Sequence, residues 1–135
     1  MQRGLHPIIE PEVDIKLDTE EKKQAEAILK QSLLENLNKL HPNEKVLLKL
    51  TLPTVENFYA ECIDHPNVLR VVALSGGYDR ETANKLLAKN ERVVASFSRA
   101  LTEGLHIGDT EEEFDEKLDD SVESIYLASV SGMYE

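Results

Sequence analysis

The sequence has a single cysteine, Cys62, among its 135 residues, and it has no apolar run of the length that crosses a bilayer. One thiol cannot form an internal disulfide, and a membrane-spanning helix needs about 20 consecutive apolar residues. The N-terminal stretch also lacks the apolar core and cleavage site of a secretory signal peptide. These absences predict a protein of the reducing cytoplasm.

Positive charge is scarce as well. Lysine and arginine number 15 against 26 acidic residues, which gives a net charge of −11. Such a surface repels phosphate backbones and anionic lipid, so nucleic acid and membrane surfaces are not expected as partners, although a local basic site for a small anion is compatible with it. A metal site is not expected either, because the four histidines lack the paired spacing of ligands. They are His6, His41, His65 and His106.

Apolar residues make up 41% of the chain, which is enough for one domain over residues 1–135 to bury a core. Strand-like runs span residues 5–13, 44–54, 68–77 and 91–101, and helices are predicted after Asp18, at Pro53-Thr54, after Asp79 and after Thr110. This repeated order predicts a parallel α/β fold with right-handed crossovers, namely a (βα)4 half of a TIM-type (β/α)8 barrel. A whole barrel needs about 250 residues.

The first and last helices show apolar residues at three- and four-residue spacing, which indicates one buried face on each. We expect these faces to consist of Ala25, Ile28, Leu29, Leu33, Leu37 and Leu40 in the first helix, and of Phe114, Leu118, Val122 and Ile125 in the last.

Lys49 lies in the middle of the apolar run 44–54, which is typical of a strand covered on both faces. A lysine in such surroundings either pairs with a carboxylate or gives up its proton more readily. The resulting free amine is the nucleophile of Schiff-base chemistry. The alternative is that the side chain extends to solvent from the strand end and has no chemical role.

Other reactive groups are expected where the strands end. Glu10 and Glu12 flank Pro11, and the period of two in a strand places both carboxylates on one side, where they could pair with Lys49 and transfer protons. Alternatively, they are solvated loop acids. We expect the two glutamates to converge with Lys49 and with the groups that follow the later strands.

Two stretches have the character of an anion site. Ser75, Gly76 and Gly77 resemble a phosphate cradle followed by a helix N-terminus, although the same residues also form ordinary turns. Ser98 and Arg99 follow the next strand, and a guanidinium binds phosphate through two hydrogen bonds. Arg99 could instead form a surface salt bridge.

Four stretches, PIIEPEV, VLLKLTLPT, VVALSGGYDRE and ASFSRAL, resemble those of class I fructose-bisphosphate aldolases, especially the short bacterial-type enzymes, in the same order. The resemblance implies a metal- and cofactor-free lyase acting on a sugar phosphate in glycolysis, and it places this chain in the C-terminal half of the barrel. It implies that Lys49 is the Schiff-base lysine, Glu10 the acid/base and Glu12 its ordering neighbour. The implied phosphate binders are Ser75, Gly76, Ser98, through its backbone, and Arg99.

The same resemblance implies that one aspartate and two lysines of the other half have no counterpart here, so the chain alone is expected to be poorly active. We expect self-association or pairing with a missing N-terminal half. Two alternatives stay open, a non-catalytic half-barrel that folds by pairing with another chain and another Schiff-base barrel enzyme such as a transaldolase. Tyr134, near the C-terminus, is left without a role.

Overall fold

A four-stranded parallel sheet forms the centre of the computed structural model, which describes residues 1–131. The strands are β1 (Ile8–Ile9), β2 (Val46–Thr51), β3 (Val68–Leu74) and β4 (Val93–Ala95). They lie in the order β1-β2-β3-β4, and each adjacent pair is parallel. The predicted α/β architecture, which fits half of a TIM-type barrel, is confirmed.

Five helices connect and follow the strands within the described part of the chain. They are α1 (Thr19–Leu37), α2 (Ala60–Asp64), α3 (Arg80–Ala88), α4 (Arg99–Thr102) and α5 (Glu111–Val130). Three of the four predicted helix starts are confirmed, because the side chains of Asp18, Asp79 and Thr110 each accept a backbone N–H of the first turn. No helix within residues 1–131 is long and apolar enough to cross a membrane.

Several elements are shorter than the sequence predicted. β1 covers two residues because the prolines that flank it, Pro7 and Pro11, have no N–H to donate to a ladder. α2 begins at Ala60 rather than at Pro53, because Asn57 adopts a left-handed φ of 57° that a helix cannot contain. The last predicted strand stops at Ala95 and gives way to α4.

The core lies on one face of β2. Val46, Leu48 and Leu50 are at most 2% exposed, whereas Leu47 and Lys49, which alternate with them, are partly exposed. The prediction that this strand is covered on both faces is therefore wrong for the described chain, because the helices cover only one of them. Lys49 consequently lies on the more open side of the sheet.

The predicted helix faces are only partly buried. In α5, Ile125 is buried, but Phe114 and Val122 are 40% and 51% exposed. In α1, Leu33 and Leu37 are buried as expected, whereas Ile28 is 70% exposed. Two charged residues of α1, Lys22 and Glu26, occupy buried positions instead.

Candidate active site at the carboxyl ends of the strands

Lys49 and Glu10 face each other across β1 and β2. The Nζ atom of Lys49 lies 3.5 Å from Oε1 of Glu10, and the side chains are 27% and 52% exposed. The parallel register explains the contact. Ile8 pairs with Leu47 and Ile9 with Leu48, so Glu10, directly after β1, comes level with Lys49 in β2. The structure thus brings the predicted nucleophile beside the predicted acid/base.

The surroundings of Lys49 leave its amine accessible. Val72 is its register partner in β3, and Val94 continues the same row in β4, so the carboxylate of Glu10 is next to an otherwise apolar row. A separation of 3.5 Å is longer than a good N–H···O hydrogen bond, and a partly exposed ion pair contributes only about 0–1 kcal/mol. Little free energy is therefore lost when this ion pair separates.

Glu12 does not join this pair. It is exposed, forms no ion pair among residues 1–131, and lines a groove against α1 together with Leu17 and Ile28. The period-two argument fails here because β1 ends at Ile9, before Pro11 and Glu12, so strand alternation does not extend that far. The expected convergence of both glutamates on Lys49 is therefore corrected to Glu10 alone.

A glycine turn follows β3. Ser75 is 4% exposed, and Gly76 and Gly77 adopt φ values of 63° and 106°, which glycine tolerates and other residues rarely do. Within the described chain, the amide N–H groups of these two glycines donate no hydrogen bond. Two adjacent free amides at the end of a strand are suitable donors for an anion.

The N-terminus of α3 adds less to this turn than the sequence suggested. The carboxylate of Asp79 accepts the N–H of Thr82 at 2.7 Å, and that of Glu103 accepts the N–H of Arg80 at 2.6 Å. The hydrogen bond from the Thr82 backbone lowers the pKa of Asp79. Because two carboxylates already occupy this helix end, the glycine amides are the main backbone donors left for a ligand.

Ser98 and Arg99 follow the neighbouring strand. The N–H of Ser96 donates to the carbonyl of Ala73 at 2.7 Å, which keeps the ends of β3 and β4 together. Both Ser98 and Arg99 are exposed, and Arg99 forms no salt bridge with any residue of the described range. The guanidinium of Arg80 donates to the carbonyl of Glu103 at 2.8 Å and so ties α4 to α3. Arg99 is therefore available to an external anion.

A buried ionic cluster behind β2 was not predicted. The Nζ atom of Lys22 donates to Glu26 Oε1 (3.2 Å), to the carbonyl of Leu52 (3.0 Å) and to Thr54 Oγ1 (3.1 Å). The side chains of Lys22 and Glu26 are 5% and 3% exposed. Burial raises the pKa of Tyr59, and the nearby Glu26 carboxylate raises it further. The sequence signal was available, because Lys22 and Glu26 continue the spacing of the buried leucines of α1.

Replacing Lys22 with methionine is expected to destabilise the fold by about 3–5 kcal/mol, because it leaves the Glu26 carboxylate buried without a cation. Urea unfolding measures this change. The matched control is Lys85→Met, which breaks an exposed pair with Glu81 at the same four-residue spacing. That variant is expected to unfold at nearly the same urea concentration as the unaltered chain. If both substitutions lower the free energy of unfolding by the same small amount, the Lys22–Glu26 pair does not make the stabilising contribution expected of it.

Tyr134 lies outside the residues that the structure describes.

No family model matches the sequence. The chain is 59% identical over 128 residues to a class 1 fructose-bisphosphate aldolase of Synechocystis sp., an alignment that covers 95% of this chain and 42% of that protein. It is 56% identical over 130 residues to a protein of the same name from Porphyromonas gingivalis, with 96% and 43% covered. The chain thus spans less than half the length of these curated relatives. Along nearly all of its own length, it is related by sequence to class 1 fructose-bisphosphate aldolases.

Proposed function

We propose that this chain carries the Schiff-base and ketone-phosphate sites of a class I fructose-bisphosphate aldolase. The full reaction cleaves fructose 1,6-bisphosphate to dihydroxyacetone phosphate and glyceraldehyde 3-phosphate, as a glycolytic step in the cytoplasm. The observation that carries the proposal is the Lys49–Glu10 pair at 3.5 Å, at the end of parallel strands. The 56% and 59% identities to proteins of that name support it.

Lys49 acts as the nucleophile. Within the ion pair, the carboxylate of Glu10 takes a proton from the Lys49 ammonium, and the free amine then attacks the ketone carbon and forms a carbinolamine. Glu10 returns this proton to the carbinolamine hydroxyl, which leaves as water. The resulting iminium carries a positive charge beside the bond to be broken. It withdraws the electron pair of that carbon–carbon bond, which lets the aldehyde product leave.

The ketone-side phosphate binds at the ends of β3 and β4. The amides of Gly76 and Gly77 donate to its oxygens, Ser75 adds a hydroxyl, and the guanidinium of Arg99 supplies positive charge. Ser98 contributes through its backbone. In a chain of net charge −11, this local group of donors is what attracts an anionic substrate.

The chain alone is expected to turn over fructose 1,6-bisphosphate slowly. Resemblance to the aldolases assigns the remaining proton-transfer and second-phosphate groups to the part that this chain does not cover. We further propose that the outer edge of β1 leads the chain to associate with another chain, since unpaired strand edges favour pairing. At the outer edge of β4, the N–H of Ala95 already donates to Oγ of Ser129 in α5, at 3.0 Å.

Borohydride trapping tests the proposal. The unaltered chain is incubated with dihydroxyacetone phosphate and borohydride, and the labelled peptide is identified by mass spectrometry. A single secondary amine on Lys49 is expected, and excess inorganic phosphate should slow its formation by competing for the phosphate site. No label at millimolar ligand would instead favour a non-catalytic half-barrel, and label spread over many lysines would indicate non-specific chemistry.

A further inference from the structure

The segment that bears Glu10 has few connections to β2. The β1–β2 ladder ends where Ile9 pairs with Leu48, one residue before Glu10. Among residues 1–131, the next hydrogen bond that joins this segment to β2 runs from the N–H of Val13 to Oγ1 of Thr51, at 3.0 Å. Thr51 is 3% and Val13 is 8% exposed, so water does not compete with this bond. The position of Glu10 is therefore fixed at one end by a short ladder and at the other by Thr51.

The methyl group of the same threonine borders the glycine turn. A Cβ atom placed on Gly76 would lie 3.5 Å from Cγ2 of Thr51 and 3.3 Å from Cγ2 of Ile15. A Cβ on Gly77 would lie 3.3 Å from Cδ1 of Ile15. Ile15 and Thr51 thus lie together beside the turn, and Val13 is joined to Thr51 by the hydrogen bond described above. Thr51 therefore lies beside both halves of the proposed site. Its hydroxyl accepts the N–H of Val13 in the segment that bears Glu10, and its methyl group borders the glycine turn that is proposed to bind phosphate.

We infer that Thr51 is a positioning residue that holds Glu10 beside Lys49 and, at the same time, sets the Gly76–Gly77 amides for phosphate. This inference rests on the proposed function. Thr51 lies two residues beyond Lys49 on β2, and the two therefore share a face of the sheet. A change in the Thr51 side chain is expected to displace both Glu10 and the glycine turn, because Thr51 is buried and a close-packed interior has little room to relax.

Two substitutions test the hydroxyl and the methyl group of Thr51 separately. Thr51→Val keeps the methyl group and nearly the volume but replaces the hydroxyl that accepts the Val13 N–H with a second methyl. Thr51→Ser keeps the hydroxyl and removes the methyl group. Trapping rates on the 135-residue chain are measured with dihydroxyacetone phosphate and with dihydroxyacetone, which has no phosphate. Urea unfolding of each variant is recorded beside them.

Thr51→Val is expected to slow trapping about tenfold with both ligands at saturation. The reason is that it removes the Val13–Thr51 hydrogen bond, one of the two connections that fix the position of Glu10. Thr51→Ser is expected to raise the half-saturating concentration of dihydroxyacetone phosphate roughly three- to tenfold, because it alters the packing beside the glycine turn. The half-saturating concentration of dihydroxyacetone, which has no phosphate, should stay the same.

Two results would overturn the inference while leaving the proposed function intact. One is equal trapping by both variants and the unaltered chain. The other is a loss that follows urea stability in both variants and does not depend on which ligand is used, since that is what a purely structural threonine produces. An unaltered chain that forms no adduct at all would overturn the proposed function, and this inference with it.

Discussion

Replacing Lys49 with alanine is expected to remove all of the adduct that borohydride traps with dihydroxyacetone phosphate. Alanine has no amine and therefore cannot form the bond to the ketone carbon. The amine of Lys22, in α1, is buried and already donates to three oxygens. Because the proposed chemistry passes through one covalent bond to one nitrogen, no partial activity should survive.

The control for this experiment is Lys45→Ala, which removes an amine at the amino end of the same run. The Nζ atom of Lys45 donates to the carbonyl of Pro66 at 2.6 Å, away from the strand ends that form the site. The Lys45→Ala variant should form the trapped adduct on Lys49 to the same extent as the unaltered chain. Persistent label in the Lys49→Ala protein, mapped to any other lysine, would show that Lys49 is not the nucleophile.

Glu10→Gln is expected to slow adduct formation by about 10²–10⁴-fold, which is the usual contribution of one positioned acid or base. Glutamine keeps the size of the side chain and its place beside β2, but it cannot donate the proton that lets the carbinolamine hydroxyl leave as water. Samples quenched over time give the rate, and their final extent of labelling shows whether the site still binds ligand.

Glu12→Gln is the matched control, since it makes the same chemical change two residues away. The exposed Glu12 forms no ion pair in the described range, so this variant should trap at close to the unaltered rate. A slowing as large as that of Glu10→Gln would instead mean that both carboxylates act together, as the resemblance to aldolases first suggested.

Local patterns were sufficient for much of the fold. Apolar runs gave the order of the parallel strands, and Asp18, Asp79 and Thr110 marked helix starts, because a cap involves residues only three positions apart. Contacts between distant segments were not readable in this way. The start of α2 depends on Asn57, whose N–H donates to the side chain of Asn90, 33 residues later.

The same limit applies to the candidate site. The pairing of Glu10 with Lys49 was predictable because strand order and register follow from the two apolar runs. Occupation of the α3 N-terminus by Glu103 was not, since that carboxylate comes from 23 residues further along the chain. Thr51 was also overlooked, because a threonine in a strand is ordinary, and only the fold reveals that its hydroxyl contacts Val13.

The strand order has a consequence for assembly symmetry. Since β1 and β4 are the two edges of one parallel sheet, they are chemically different, and a copy that adds in parallel must join its β1 to the β4 of its neighbour. Such head-to-tail contacts produce either a closed ring of copies or an open filament. Two copies that close around a twofold axis would make an eight-stranded ring with two Lys49 sites, whereas copies that miss closure would grow into an open filament. The angle between successive copies, rather than their affinity, would decide between a discrete dimer and a polymer.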